Sequence, residues 1–288
     1  MSRLHFLIID GYAKDSRQHF TDTGAQLAWE QYQRMVLAHV LDAKIDVLFP
    51  SDPDAALPAG VGIGNYQGIL WTGCNLTIFD QQDSRVATMI ELAGKIFELG
   101  VPAYGSCWAL QIAVVAAGGM VRANPRGREM GLARKIRLLP ASNEHPFYRG
   151  KPAVFDAFIS HYDEVSQLPP GTSLLASNDF TEVQALALQY RKGTFWAVQY
   201  HPEYDLYDMA RLIVAREDRL VKEGFFANSQ DLAALVARME ALSQQPERMD
   251  LRWQLGIDDD VLDQSIRQLE FRNWVDYLVI PTAAGHHD

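Results

Sequence analysis

A doubly wound α/β fold, built on a mostly parallel sheet with flanking helices and followed by a helical C-terminal extension, is what three features of this 288-residue chain predict. Short apolar runs alternate with longer stretches of helical spacing through the N-terminal part. The chain then passes from a strand-like run straight through Gly105-Ser106-Cys107-Trp108 into a helical pattern. After the last strand-like run, only helical periodicity remains. Strands that alternate with helices form parallel sheets covered on both faces, and function gathers at the carboxyl ends of their strands.

In chain order, residues 4–9, 45–49, 68–71 and 102–105 read as buried strands, with helical spacing over residues 27–41 and 86–99 between them. Gly118-Gly119 reads as the C-cap of the helix that starts after Cys107. Past Gly119 the texture changes. Residues 132–139, 154–159, 184–189 and 194–200 alternate with turns and have no helix between them, so antiparallel additions to the sheet are expected. Helices are expected again over residues 206–222, 229–242 and 258–278. Asp258-Asp259-Asp260 reads as a helix start rather than a metal site, because carboxylates ahead of an apolar-periodic run suit the positive helix end. In the tail, Leu232, Leu235, Val236 and Met239 fall at helical spacing, as do Leu262, Ile266 and Leu269, followed by Phe271, Trp274 and Tyr277. Such a face needs cover from the domain or from another subunit, a second copy of the chain included. The expected division is therefore a domain over residues 1–228 and a helical extension over 229–288.

Composition narrows the function classes. With 48% hydrophobic and 22% charged residues, the chain is an ordinary folded globular protein. A net charge of -10 opposes a broad phosphate-binding surface, so no nucleic-acid partner is expected. The local run Arg122, Arg126, Arg128, Arg134, Lys135 and Arg137 lacks interleaved aromatics and reads as a solvated strand edge. Met1-Ser2-Arg3-Leu4 leads into an apolar run too short for a signal peptide or membrane span, so a cytoplasmic location is expected. The two cysteines, Cys74 and Cys107, read as free thiols, and Asn75-Leu76-Thr77 as an accidental sequon.

The chemistry centres on Cys107. A sharp strand-to-helix turn would hold its side chain out of the backbone, with a helix N-terminus behind it to favour a thiolate and offer amide donors to an oxyanion. Downstream, after another strand-like run, His201, Pro202 and Glu203 supply an imidazole and a carboxylate that can fix its tautomer.

The two signals together resemble the class I glutamine amidotransferases, over roughly residues 4–204, whose glutaminase domains carry Gly-x-Cys-x-Gly-x-Gln and a later His-Pro-Glu. The GMP synthetase-type glutaminase domain is the particular likeness. It implies a flavodoxin-like amidotransferase fold in which Cys107 attacks the side-chain amide of glutamine, His201 shuttles the proton and Glu203 orients His201. The oxyanion donors it implies are the amides of Trp108 and Cys74, the latter in Thr72-Gly73-Cys74-Asn75 where the family has Ser-Gly-Gly-Pro. Gly73, Gln111, Ser160, His161 and Tyr162 are the implied substrate-binding positions, the last three lying in Ser160-His161-Tyr162-Asp163-Glu164-Val165. For His161 and Asp163, simple turn chemistry is an equal alternative. Cys74, Ala109 and Tyr162 each stand where the family has glycine, which alters the expected pocket.

The resulting expectation is a hydrolase that cleaves the γ-amide of glutamine through a thioester, without metal or organic cofactor, and releases ammonia to a partner synthetase subunit. The chain carries no Gly-x-x-x-x-Gly-Lys-Ser/Thr loop of its own for that second step. Two alternatives stand beside it: a stand-alone γ-glutamyl peptidase using the same three residues, and a non-catalytic regulatory protein on the same fold.

Overall fold

The computed structural model describes residues 3–80 and 82–285; Met1 and Ser2, where the reading of the N-terminus began, lie outside them. Eleven strands and twelve α-helices follow one another among the described residues. The parallel half comprises β1 (His5–Ile9), α1 (Lys14–Asp22), α2 (Ala28–His39), β2 (Lys44–Leu48), β3 (Gly68–Trp71), α3 (Ser84–Leu99), β4 (Ala103–Ser106) and α4 (Trp108–Ala116). Strands then dominate: β5 (Met120–Ala123), β6 (Glu129–Leu138), β7 (Val154–His161), β8 (Asp163–Gln167), β9 (Thr172–Ser177), β10 (Ala185–Tyr190) and β11 (Gly193–Val198). Helices close the chain: α5 (Leu206–Ala215), α6 (Glu217–Lys222), α7 (Ser229–Gln244), α8 (Met249–Leu255), α9 (Asp259–Leu262), α10 (Gln264–Arg267), α11 (Leu269–Trp274) and α12 (Ile280–Gly285).

Nine strands form one sheet in the order β2-β1-β3-β4-β11-β10-β9-β6-β7, while β5 and β8 pair separately. Strands β2, β1, β3, β4 and β11 run parallel, and β10, β9, β6 and β7 extend the sheet antiparallel. One expectation needs correcting. The segment over 194–200 was grouped with the antiparallel additions, yet β11 pairs parallel with β4 as well as antiparallel with β10. The hairpin back from β10 reverses the chain, so β11 arrives pointing the same way as β4. That shared direction sets Cys107, just after β4, beside His201, just after β11.

The central strands are apolar on both faces, as buried parallel strands must be. Leu7, Ile9, Ile69, Trp71, Phe195 and Ala197 face α3 and α4. Their alternates Phe6, Ile8, Leu70, Trp196 and Val198 face a second core that includes Tyr32 of α2 and Phe271 and Trp274 of α11. A third core joins α5 to α7 and α8 through Met209, Ile213, Leu232, Val236, Met239 and Leu251.

The tail departs from the continuous helices expected. Arg216 leaves helical geometry and splits residues 206–222 into α5 and α6. Residues 258–278 become α9, α10, α11 and a π-helical turn over Val275–Val279, since Asp263 is extended and its carboxylate caps the next helix. Each break rotates the buried face. Tyr277 consequently lies outside, stacked under Arg149, while Glu270 and Asn273 are buried. Asp258 does cap α9, through its bond from the Asp259 amide. Helix α1 escaped the sequence reading because only Phe20 of its nine residues is buried.

Candidate active site

Cys107 occupies a backbone conformation that side chains avoid, φ 54° and ψ -103°, directly between β4 and α4. Two packing features hold it there. The Cys107 amide donates to the Val198 carbonyl at the end of β11 at 2.8 Å. Gly105 leaves no room for a side chain: a Cβ there would lie 2.3 Å from the Ala109 Cβ and 2.4 Å from the Trp71 carbonyl oxygen. Ala109, where the resembling family has glycine, is thus accommodated by the absence of a side chain at Gly105. As the first residue of α4, Trp108 has an amide that no helix carbonyl accepts.

His201 is pinned through its own amide to the Phe158 carbonyl on β7, at 2.8 Å, and its ring stacks on Tyr204 at 4.2 Å and 1°. Its Nδ1 lies 2.6 Å from Glu203 Oε1. The same carboxylate oxygen accepts from the Ser106 hydroxyl at 2.8 Å, and the Tyr32 hydroxyl donates to Ser106 at 2.8 Å. Both His201 and Glu203 are 2% exposed. Burial alone would push the imidazole pKa down. The Glu203 carboxylate and hydrogen bonds to Cys107 and Glu203 more than reverse this and push it up to about 9. The surroundings therefore favour the protonated ring beside the Cys107 sulfur.

Gly73, just past β3, completes the cluster. A Cβ on it would come within 3.2 Å of His201 Cε1 and 3.8 Å of Cys107 Cβ. Strand ends β3, β4 and β11 thus converge on one point. Cys74, the next residue, turns its sulfur away to donate to the Gly11 carbonyl at 3.2 Å and accept from the Leu76 amide. Burial pushes its thiol up to about 12, so it stays protonated.

The other expected positions divide. The Ser160 carbonyl lies 3.6 Å from the Cys107 sulfur, and Tyr162 is exposed on the rim of a cleft of about 990 Å³ that reaches the thiol. Gln111 also lines that cleft, but its side-chain amide is committed to the Asp163 carbonyl at 3.1 Å. His161 has both ring nitrogens engaged, with the Asp163 carbonyl at 2.8 Å and Glu129 at 3.0 Å. Its role in this arrangement is to tie β7 to β6 and the following turn. Tyr32, Ser106 and Arg216 were not found by sequence reasoning. Ser106 sits next to the nucleophile motif and could have been suspected; Tyr32 is 74 residues away from it, and no local pattern announces it.

Among the described residues, no group of three or more His, Cys, Asp or Glu side chains could hold a metal ion. No helix among them is long and apolar enough to cross a membrane.

Fold and site together are those of an α/β protein that gathers a thiol, an imidazole and a carboxylate at adjacent strand ends, and comparison with known proteins makes the class definite. Residues 64–217 match the family model described as glutamine amidotransferase class-I. The chain belongs to the class I glutamine amidotransferase family. It is 33% identical to a γ-glutamyl-L-1-hydroxyisopropylamide hydrolase from a Pseudomonas species, over 98% of this chain and 96% of that one. It is also 33% identical to a glutamine-hydrolysing GMP synthase from Nitrosomonas eutropha, but over 60% of this chain and only 32% of the synthase. Solved structures repeat the fold across nearly the whole chain. A glutamine amidotransferase from Thermotoga maritima has a TM-score of 0.68 at 17% identity, covering 97% of this chain and 99% of its own. One from Methylobacillus flagellatus has 0.64 at 19% identity, covering 98% and 95%.

Proposed function

We propose that this protein hydrolyses γ-glutamyl amides through a thioester on Cys107, acting by itself on a substrate whose γ-nitrogen carries a small organic group. In this reading Cys107 passes its proton to His201 and attacks the γ-carbonyl carbon as a thiolate, and the amides of Trp108 and Cys74 receive the oxyanion beside Gly73. His201 gives its proton to the leaving amine as the C–N bond breaks, and Glu203 keeps Nδ1–H directed at the carboxylate. Water, deprotonated by His201, then adds to the thioester; the C–S bond breaks, releasing glutamate and restoring the thiolate with its imidazolium. Glutamine itself is the simplest member of this substrate class.

The observation that carries this choice is the extent of the likeness to the Pseudomonas hydrolase, which includes the C-terminal helices, whereas the GMP synthase match stops short of them and leaves two thirds of the synthase unmatched. Ammonia delivery to a synthetase subunit is the second reading, favoured by the GMP synthase match alone. A cytoplasmic location belongs to the same proposal, since two free thiols suit a reducing compartment.

Glutamate release from glutamine and from γ-glutamyl alkylamides separates the readings. The alkylamides should be preferred by roughly tenfold or more in kcat/KM, the scale on which a pocket discriminates by one or two carbons. Equal rates on both would favour ammonia delivery. A glutamine-analogue chloroketone should label Cys107 and leave Cys74 unlabelled; full labelling of Cys107→Ala would overturn the nucleophile assignment.

A further inference from the structure

One wall of the cleft is the link between α5 and α6, which brings Arg216 toward the thiol. The Arg216 Nη1 donates to the Ser160 hydroxyl, and the carbonyl of that same Ser160 is the group 3.6 Å from the Cys107 sulfur. A single residue therefore bridges the guanidinium and the nucleophile. Arg216 is half-buried, and among the described residues no carboxylate lies within ion-pair distance of it. The contrast with Arg128 on the same cleft is instructive. Arg128 is held by two bonds to Glu223, at 2.7 and 3.2 Å, and its charge is already answered.

A guanidinium has five N–H donors in a planar fork suited to a carboxylate. Arg216 spends one of them on a neutral hydroxyl. The guanidinium lines the cleft with donors left for an anion, and the anion must fit beside a γ-carbonyl held at Cys107. A glutamyl group has such an anion. Its α-carboxylate is separated from the γ-carbonyl carbon by three carbons, a reach comparable to the Ser160 side chain and peptide unit that link Cys107 to Arg216.

Resting on the proposed cleavage of γ-glutamyl amides, we infer that Arg216 binds the α-carboxylate of the substrate and so makes a free glutamyl carboxylate a requirement for turnover. A consequence is that glutamine residues inside peptides, whose α-carboxylates are consumed in peptide bonds, are excluded. Arg216 is a specificity-determining residue supplied by the helical segment after His201, and the sequence signals for the thiol and imidazole do not include it.

The test compares γ-glutamyl anilide with its α-carboxamide, which differ only in that charge. The intact protein should favour the carboxylate substrate by roughly ten- to a hundredfold in kcat/KM, expressed mainly in KM, the range expected of a charge-assisted hydrogen-bonded pair. Arg216→Met should bring the two substrates level. Arg216→Lys should restore part of the preference, because an ammonium keeps the charge and loses the fork. Ser160→Ala should keep the preference. If Arg216 only braced Ser160, Arg216→Met would slow both substrates alike, and that result overturns the inference. A second readout does not depend on turnover: alkylation of Cys107 by a glutamine-analogue chloroketone against its α-amide. Faster alkylation by the carboxylate form, lost in Arg216→Met, supports the inference even if neither anilide is cleaved, in which case only the hydrolytic reading fails. Equal alkylation by both forms in the intact protein overturns the inference itself.

Discussion

At the thiol corner, four polar side chains from three separate stretches of chain, Tyr32, Ser106, His201 and Glu203, form one buried hydrogen-bonded chain. At the C-terminal end the contact with the body is mostly apolar. Phe271 and Trp274 enter the core beneath the central strands, and Trp274 lies so close to β3 that a Cβ on Gly68 would come within 2.7 Å of its ring. One charged pair joins the apolar contact: Lys151 bonds Glu270 at 2.9 Å, with both side chains almost fully buried, and the Tyr200 hydroxyl donates to the same carboxylate. The two regions meet in β11 and its exit, since Tyr200 touches the tail and His201 the thiol. What the difference teaches is a division of labour. In the proposed mechanism the polar groups at the corner orient the reaction, while the tail contributes burial and leaves the thiol corner alone.

Substitutions at each place should separate these effects. The largest is expected for His201→Ala, which should lower kcat by roughly a thousandfold or more, because members of a catalytic unit fail together. The loss is read per folded molecule, since removing the ring also leaves the buried Glu203 carboxylate without its partner; activity per folded molecule that stays intact would break the comparison. Trp274→Ala is the converse. Removing a fully buried tryptophan from a packed core should cost about 4 kcal/mol of unfolding free energy by urea titration. The folded fraction should still take up the chloroketone at Cys107 at the normal rate.

The smallest effect is one of pH. His201 is raised from 6.5 to about 9, so the protonated ring is favoured in the folded protein. The stability it contributes is fully present below about 6.5 and is lost as pH rises through about 9. In the proposed mechanism the leaving amine needs that proton, so kcat/KM should fall on the alkaline side near pH 9. Glu203→Gln removes the main group that holds the proton, and its alkaline limb should move to lower pH. A limb that stays in place would remove Glu203 from this role.

Much of the site was legible because its chemistry is local. A glycine-flanked cysteine between a strand and a helix needs only neighbouring residues to make its turn, and His201 with Glu203 lies within three residues on one strand exit. Strands β1, β3 and β4 were equally plain, since burial on both faces demands unbroken apolar runs. The long-range partners were not legible. Tyr32 reaches Ser106 from α2, and Arg216 reaches Ser160 across 56 residues, with nothing in the spacing of either to announce the meeting. His161 shows the reverse case: its segment resembles a substrate-binding one, yet Glu129 and the Asp163 carbonyl occupy its ring.

The sequence by itself therefore determined the class of fold and the amphipathic character of the tail, and it singled out a candidate thiol, imidazole and carboxylate, all from side-chain chemistry at short spacing. Tertiary structure decided that β11 joins the parallel block, that the last helices break and rotate so that Trp274 turns inward and Tyr277 outward, and that the Arg216 guanidinium faces the cleft. Those outcomes depend on which distant surfaces exclude water together and which buried polar groups find partners, and neither is encoded in the spacing of residues along one segment.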